Sequence, residues 1–324
     1  MNTCRRQILA AGFASLAGLV PRLAQAQPYP ERAVRVIVPF ATGGPNDIAA
    51  RIIAQGLTER LGKQFLVENH PGAGGNVGTG QAAKARPDGY TVLFVAPSYV
   101  ANPTLFDTVP YDPLTSFDAV TLAATAATVL TVNPAVTAIS VNDLIAVIRA
   151  NPGKYTYASP GTGTPPHLLG ELFRVTHRLD LTHVPFASGG QAILATVGGH
   201  TPISFGAVPP AVAFVKDGRL NALAVTSRQR STALPGVPTI AEAGYPDLAA
   251  DIWTAVLVPA GTPREITLLL QQEIAAVLAL PDVKQRMAAS GYVPVGSAPD
   301  ECATHIAAEY AKWGKVIREA GLKA

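Results

Sequence analysis

The sequence is poor in the residues that carry redox chemistry, strong fields or membrane anchorage. It has two cysteines in 324 residues, Cys4 and Cys302. Cys4 falls in a stretch that reads as a removable leader, so Cys302 would stand alone, and neither an intramolecular disulfide nor a C-x-x-C site can form. Charged residues make up 15% of the chain, and the formal surplus of +3 comes from Arg5, Arg6 and Arg22 of the same leader. The remainder carries 22 basic and 22 acidic residues, which excludes the basic footprint of a nucleic-acid binder. An anionic partner would have to be held by local donors. Long apolar runs are also missing. Although the mean hydropathy is +0.24, the longest stretches, 8–20 and 120–132, have 13 residues each, fewer than a bilayer needs. The second is studded with threonine and reads as two consecutive strands. There is no H-E-x-x-H, no G-x-S-x-G and no G-x-x-x-x-G-K-[ST]. The six histidines, at 70, 167, 177, 183, 200 and 305, lack metal-ligand spacing. No metal and no cofactor is expected.

What is present begins with an address. Arg5 and Arg6 give a positive start, 8–20 supplies an apolar segment, and Ala24-Gln25-Ala26 is a small-x-small cleavage signal. Residues 1–26 therefore read as a signal peptide cut after Ala26. A retained anchor is the alternative reading. The arginine pair fits a twin-arginine signal, yet Cys4 precedes it where Ser or Thr is usual, which leaves the export route open. Removing 26 residues leaves 298, enough for two lobes with a core each.

Short β-branched runs then alternate with amphipathic helices, the pattern of a parallel-sheet α/β fold. Strands are expected at 34–38, 65–68, 91–95, 129–132, 155–158, 203–205, 223–225 and 253–258. Ile48, Ile52, Leu57 and Leu61 lie on one stripe of a helix, as do Leu144, Val147 and Ile148 on another. Thr262-Pro-Arg-Glu265 has the form of a capping box, and Asp217-Gly218 and Gly321 sit where helices should stop. Two closing helices are expected near 263–280 and 299–320. In the latter, Tyr310, Trp313 and Val316 form the packed face, and Trp253 reads as core.

Two segments echo each other. Val36-Ile-Val-Pro-Phe40 runs into Ala41-Thr-Gly-Gly-Pro-Asn-Asp47 and a helix, and Tyr155-Thr-Tyr-Ala-Ser159 runs into Pro160-Gly-Thr-Gly-Thr-Pro-Pro-His167 and another. Helix N-termini offer unpaired N–H groups and a partial positive charge, which suit a carboxylate or phosphate without any lysine or arginine. In the first loop Gly43 and Gly44 let the backbone come close, and Thr42 adds a hydroxyl. In the second, Gly161 and Gly163 do so beside Ser159, Thr162 and Thr164. Each loop taken alone also reads as an ordinary tight connection. Pro71-Gly-Ala-Gly-Gly-Asn-Val-Gly78 and Ser188-Gly189-Gly190 offer further backbone donors. The former contains a dinucleotide-like G-x-G-x-x-x-G, but no acid ends the next strand at 91–95 to hold a ribose. Asp47 has two readings, a first-turn acid or a ligand contact, and His167 has two, a ligand contact or a helix-end surface residue.

At these residues the chain resembles the substrate-binding proteins of tripartite tricarboxylate transporters, the Bug-type receptors. The likeness runs from Tyr29-Pro30 through Ile37-Val-Pro-Phe40, Val67-Glu-Asn69, Pro71-Gly-Ala-Gly-Gly75 and Pro87-Asp-Gly-Tyr90. It continues through Tyr157-Ala-Ser159, Leu223-Ala-Val-Thr-Ser227, Leu234-Pro-Gly-Val-Pro-Thr239 and Pro259-Ala-Gly-Thr-Pro263. The resemblance implies a type II periplasmic binding protein, with two doubly wound lobes joined by two crossover strands and ligand in the cleft. One lobe would comprise 27–124 and 250–324 and the other 125–249, with hinges at 123–129 and 248–253. It implies ligand contacts at Phe40, Ala41, Thr42, Gly43, Gly44 and Asp47, then at Gly74, Gly75, Asn76 and Ser98. On the second lobe they would be Ser159, Gly161, Thr162 and Thr164, with Ser188 and Gly189; His167 and Ala207 complete the set of candidate ligand-binding residues. The implied partners are a small organic anion and the membrane permease subunits of a tripartite transporter, for a monomeric receptor that performs no chemistry. A sensor kinase presented with the loaded receptor is an alternative partner, and an exported enzyme on the same scaffold an alternative function.

Two departures from the family pattern bear on the solute. Val184-Pro-Phe-Ala-Ser188 stands where the family reads V-P-Y-K-G, and Thr201-Pro-Ile-Ser-Phe-Gly-Ala207 where it reads V-D-x-M-F-D-N. A phenol hydroxyl and an acid are lost from the second lobe, so a mono- or dicarboxylate with an apolar body is expected rather than an α-amino acid.

Overall fold

Aliphatic and β-branched runs set the strands, and the glycines and prolines between them set where each gives way to a helix. The computed structural model describes residues 29–323; the signal peptide expected at 1–26 lies outside them. The chain forms β1 (Val34–Val38), α1 (Pro45–Leu61), β2 (Phe65–Asn69), α2 (Asn76–Ala83), β3 (Thr91–Val95), α3 (Ser98–Leu105) and β4 (Phe117–Ala126). It continues with β5 (Thr128–Val132), α4 (Val141–Arg149), β6 (Tyr155–Ser159), α5 (Pro165–His177), β7 (Leu181–Pro185), α6 (Gly189–Val197), β8 (Ile203–Ala207), α7 (Val208–Lys216) and β9 (Asn221–Val225). The last part is β10 (Ile252–Pro259), α8 (Arg264–Ala279), α9 (Pro281–Ala289), β11 (Tyr292–Pro294) and α10 (Pro299–Ala320).

The strands build two sheets, ordered β11-β4-β10-β3-β1-β2 and β7-β6-β8-β5-β9. Neither is wholly parallel, which corrects the expectation from sequence. β1 runs parallel to β2 and β3, and β6 to β7 and β8, but β10 is antiparallel to β3 and β4, and β5 to β8 and β9. Connectivity is the reason. Only Ala127 separates β4 in one sheet from β5 in the other, and the chain returns after β9 into β10. A strand that enters a sheet from the other lobe starts at the edge where the βα strands end, so it runs against them. The two crossings are tied together: Thr226 donates its N–H to Thr128 O at 2.8 Å and its hydroxyl to Ala250 O at 2.7 Å.

Three further elements differ from the sequence reading. β7 and β11 were not foreseen; both are sheet edges, and β7 carries His183 and Pro185, which hide its strand character. The chain closes with three helices, because Pro281 cannot continue α8 and instead opens α9 at a bend of 79°. Thr262 makes no capping box, since its hydroxyl donates to Pro259 O at 2.7 Å and Pro263 takes the N-cap.

Val36, Val38, Phe94 and Val256 pack one face of the first sheet against α1, α8 and α9. The other face joins a core that continues through α10 into the second lobe. α10 touches α3 and β4 on one side and α5 on the other. The fully buried Trp253 and Trp313 both donate their indole N–H to Glu309, at 2.9 and 2.8 Å, so their polar ends are satisfied inside the core. A second contact between lobes falls at the turn after α9, where Gly291 has φ +77° and an added Cβ would stand 2.3 Å from Pro209 Cγ.

Candidate functional site

The first Gly-Gly loop is held by a ring of polar side chains. Gly43, at φ +80°, donates its N–H to Asp47 Oδ2 at 2.9 Å. Asp47 also accepts from Arg51 Nε at 3.0 Å and from Asn69 Nδ2 at 2.8 Å. Asn69 further donates to Phe40 O and accepts from Thr42 and Arg51. Asn69 reaches the loop because the parallel register sets it beside Val38. Burial alone would raise the pKa of Asp47, but Arg51, the Gly43 N–H and Asn69 together hold it below the ordinary carboxylate range. Its carboxylate is thus a loop-forming group already occupied by neighbours. The two glycines also differ. Gly44 lies at φ −73°, open to any residue, and meets Ala41 O 3.3 Å from an added Cβ. Only Gly43 needs glycine for its conformation.

Beyond this loop α1 begins with Pro45, which has no N–H, followed by Asn46 and Asp47, whose N–H groups have no intrahelical acceptor. Asn46, absent from the sequence-based site, is 5% exposed and accepts from Thr254 at 2.6 Å through Oδ1. Its Nδ2 is buried without a partner.

The second loop has the same outline and a different interior. Gly161 lies at φ +122° and Gly163 at φ +78°. The Thr164 hydroxyl is engaged on Gly161 O at 2.6 Å, and Ser159 Oγ is hydrogen-bonded to His183 Nε2 at 2.7 Å. Gly163 donates its N–H to His167 Nδ1 at 3.1 Å, and the His167 and His183 rings pack with centroids 4.1 Å apart and planes tilted by 39°. His167 is buried, which corrects the surface alternative. Burial, then His183 and Arg174, push its pKa down to about 3, and burial also lowers His183. Both rings are neutral supports at pH 7. Below them Tyr157 donates to Glu171 at 2.7 Å, and Glu171 pairs with Arg174. Pro165 and Pro166 occupy the first two positions of α5 and remove two of its N–H donors.

Five of the expected site residues line a cleft of about 580 Å³ between the lobes: Phe40, Gly74, Ser98, Thr162 and Thr164. Gly75 lies in an adjoining recess. The cleft also takes in Gly163, named from sequence as a backbone donor of the second loop, and adds residues that sequence reasoning missed: Asn102, Leu105 and Phe106 from the end of α3, Pro165 and Lys323. Among the described residues Lys323 is the one cation in this lining, and it pairs loosely with Asp107 at 3.4 Å, both groups being largely exposed. It is turned there by a left-handed Gly321 at the end of α10.

The remaining expected residues stand elsewhere. Ala41, Thr42 and Gly43 form the exposed rim of the first loop, with Gly44 half-buried behind them. Asn76 is buried, accepting from Asn102 Nδ2 at 2.8 Å and from the Tyr111 hydroxyl. Ser159 and Gly161 shape the second loop from behind. Ser188 caps α6 by accepting from Gln191 N–H, with Gly189 next to it. Ala207 caps α7, whose following Pro209 and Pro210 supply no donors. A second hollow, about 620 Å³, lies at the crossings and is lined by Ala126, Ala127, Arg228, Asp251 and Tyr292, among others. Among the described residues no group of His, Cys, Asp or Glu is placed to hold a metal. Burial pushes the Cys302 thiol up to about 12, the state of a core residue and not of a nucleophile.

Residues 49–322 match the model of the tripartite tricarboxylate transporter family receptor. Protein BugT of Bordetella pertussis is 36% identical over the whole of this chain and 99% of its own length. A Rhodopseudomonas palustris protein solved with adipate, Rpa4515, is 33% identical with a TM-score of 0.78, over 91% of this chain and 99% of that one. MatC from the same organism, solved with bound malate, is 29% identical with a TM-score of 0.75, over 89% and 100%. Fold, loops and sequence agree, and the chain belongs to the tripartite tricarboxylate transporter receptor family, as a substrate-binding receptor of its Bug branch.

Proposed function

We propose that this chain is a periplasmic receptor that takes a small mono- or dicarboxylate into the cleft between its lobes and presents it to the membrane subunits of a tripartite transporter. Its leader is removed after Ala26. The lobes are 27–124 with 250–324, and 125–249, and they close on the solute about 123–129 and 248–253. Binding without turnover is the work of a receptor family.

The observation that carries the ligand class is the chemistry of the cleft and its rim. Phe40, Leu105 and Phe106 give it apolar walls, and the first-turn N–H groups of α1, which have no intrahelical acceptor, favour an anion at that helix end. The acid of the first loop, Asp47, is already saturated by Gly43, Arg51 and Asn69. An α-amino acid would bury its ammonium without an acceptor, at a cost of several kcal/mol. Relatives that hold adipate and malate support the same class.

A thermal-shift panel tests it. Adipate or malate at about 100 times its dissociation constant adds roughly 2.7 kcal/mol, which raises the melting midpoint by about 5 °C. A shift with aspartate or glutamate while every amine-free carboxylate fails would overturn the ligand class.

A further inference from the structure

The cleft wall carries a polar side chain whose hydrogen-bonding sense is fixed before any solute arrives. Asn102, on α3, is 2% exposed and lines the cleft. Its amide nitrogen uses both protons inside the lobe, donating to Gly74 O at 3.0 Å and to Asn76 Oδ1 at 2.8 Å. A carbonyl oxygen such as Gly74 O can only accept, so the amide cannot be reversed. Asn76 is itself steadied by the Tyr111 hydroxyl at 3.2 Å. Among the described residues nothing donates to Asn102 Oδ1. Nor is this oxygen sealed in as the Asn46 amide nitrogen is, so its open side is the one the residue turns to the cleft. Gly74 leaves it uncovered, since an added Cβ there would stand 3.3 Å from Oδ1.

We propose that Asn102 sets the specificity of the cleft, its Oδ1 accepting a hydrogen bond from a hydroxyl on the body of the carboxylate solute. The inference rests on the carboxylate reading above and adds which carboxylate. A fixed acceptor repels the carboxylate oxygens, which are acceptors too, and attracts a group that brings a proton. Ser98, one turn earlier on the same face of α3, also lines the cleft, and among the described residues its hydroxyl has no partner. It can donate to the oxygen of the hydroxyl whose proton goes to Asn102, which satisfies both ends of that group. An ammonium is served less well, because it brings a charge and these two neutral groups bring no counter-charge. Phe40, Leu105 and Phe106, which share the lining, are hydrocarbon. An acid without a hydroxyl therefore offers Oδ1 nothing and leaves it desolvated. Gly74 and Asn76 are positioning residues in this scheme, since they fix which end of the amide faces the solute.

Calorimetry with two matched pairs of probes, malate with succinate and 2-hydroxyadipate with adipate, tests the assignment, because the members of each pair differ by one hydroxyl. Wild type should bind the hydroxy member of at least one pair about tenfold more tightly. In Asn102→Ala or Asn102→Leu, whichever melts within a few degrees of wild type, that ratio should fall below about threefold. An asparagine needed only to hold the Gly74 turn gives a different pattern, in which both members of a pair weaken together and their ratio stays. If no hydroxy acid exceeds its partner by about threefold in wild type, or if a folded variant keeps the wild-type ratio, the proposal is overturned while the carboxylate reading stands. Should neither variant fold, the wild-type ratio decides alone. If wild type binds none of the four acids, both fall.

Discussion

The loop from β1 to α1 and the loop from β6 to α5 share an outline of strand, glycines, proline and helix, and they differ in which donors remain to meet a solute. In the first, one proline removes one N–H, and the loop is braced by the Asp47–Arg51–Asn69 ring. In the second, Pro165 and Pro166 remove two, Gly163 gives its N–H to His167, and Thr164 turns its hydroxyl inward. On the proposed function, the same silhouette serves as an anion seat on one lobe and as a mostly uncharged wall on the other. Counting free donors separates them where motif matching does not.

The largest effect should come from removing the conformational freedom of each loop in turn. Gly43→Ala and Gly163→Ala both force alanine to a φ near +80°, costing about 1 kcal/mol of stability each. Neither meets a severe collision, since nothing lies within 4 Å of an added Cβ at Gly43, and Leu105 is 3.4 Å from one at Gly163. Gly43→Ala should weaken adipate or malate binding by an order of magnitude or more, and Gly163→Ala by only a few-fold. Equal losses in calorimetry would dissolve the distinction between seat and wall.

A smaller effect sharpens the comparison through pH. His167 is held neutral down to about 3, against an ordinary value of 6.5. The unfolded chain therefore takes up the proton first as pH falls. Stability conferred by the neutral ring is complete above 6.5 and is lost as pH drops from there toward 3, with a slope approaching 1.4 kcal/mol per pH unit for one proton. His167→Asn should flatten the melting-temperature profile between pH 7 and 5. A variant profile as steep as wild type would show that the second loop does not depend on this ring.

The smallest effect concerns the cleft's one cation. Lys323→Ala should reduce affinity for adipate about threefold and leave hexanoate unchanged, because an exposed lysine adds little except to a second charge. Equal responses to the two acids would remove Lys323 from the site.

Much of this architecture was legible in the sequence because it is local. β1, β3 and α10 have the bounds their patterns predict, since alternation, Pro299 and Gly321 mark them directly. The two loops were found for the same reason. What was hidden depends on distance along the chain. Asn69 joins the first loop only through the β1–β2 register, and Asn46 meets Thr254, 208 residues away, only in the folded chain. Leu105 and Phe106 carry no motif, and nothing in the sequence says that they face Thr162 across a cleft. The antiparallel strands were missed because strand direction follows from which lobe the chain has just left.

The single residue between β4 and β5 has a mechanical consequence. A tether one residue long has no slack, so the lobes cannot slide apart or drift on it. On the closure proposed above, opening would be almost pure rotation, made from torsion at Ala127 and at the returning strand near Ala250, where Thr226 ties the two crossings together. A few degrees of twist at that axle would be magnified by the full radius of each lobe into a wide swing at the loop tips. Beside the axle, the Gly291 turn lies against Pro209 of the other lobe, so the two lobes also meet close to the crossings.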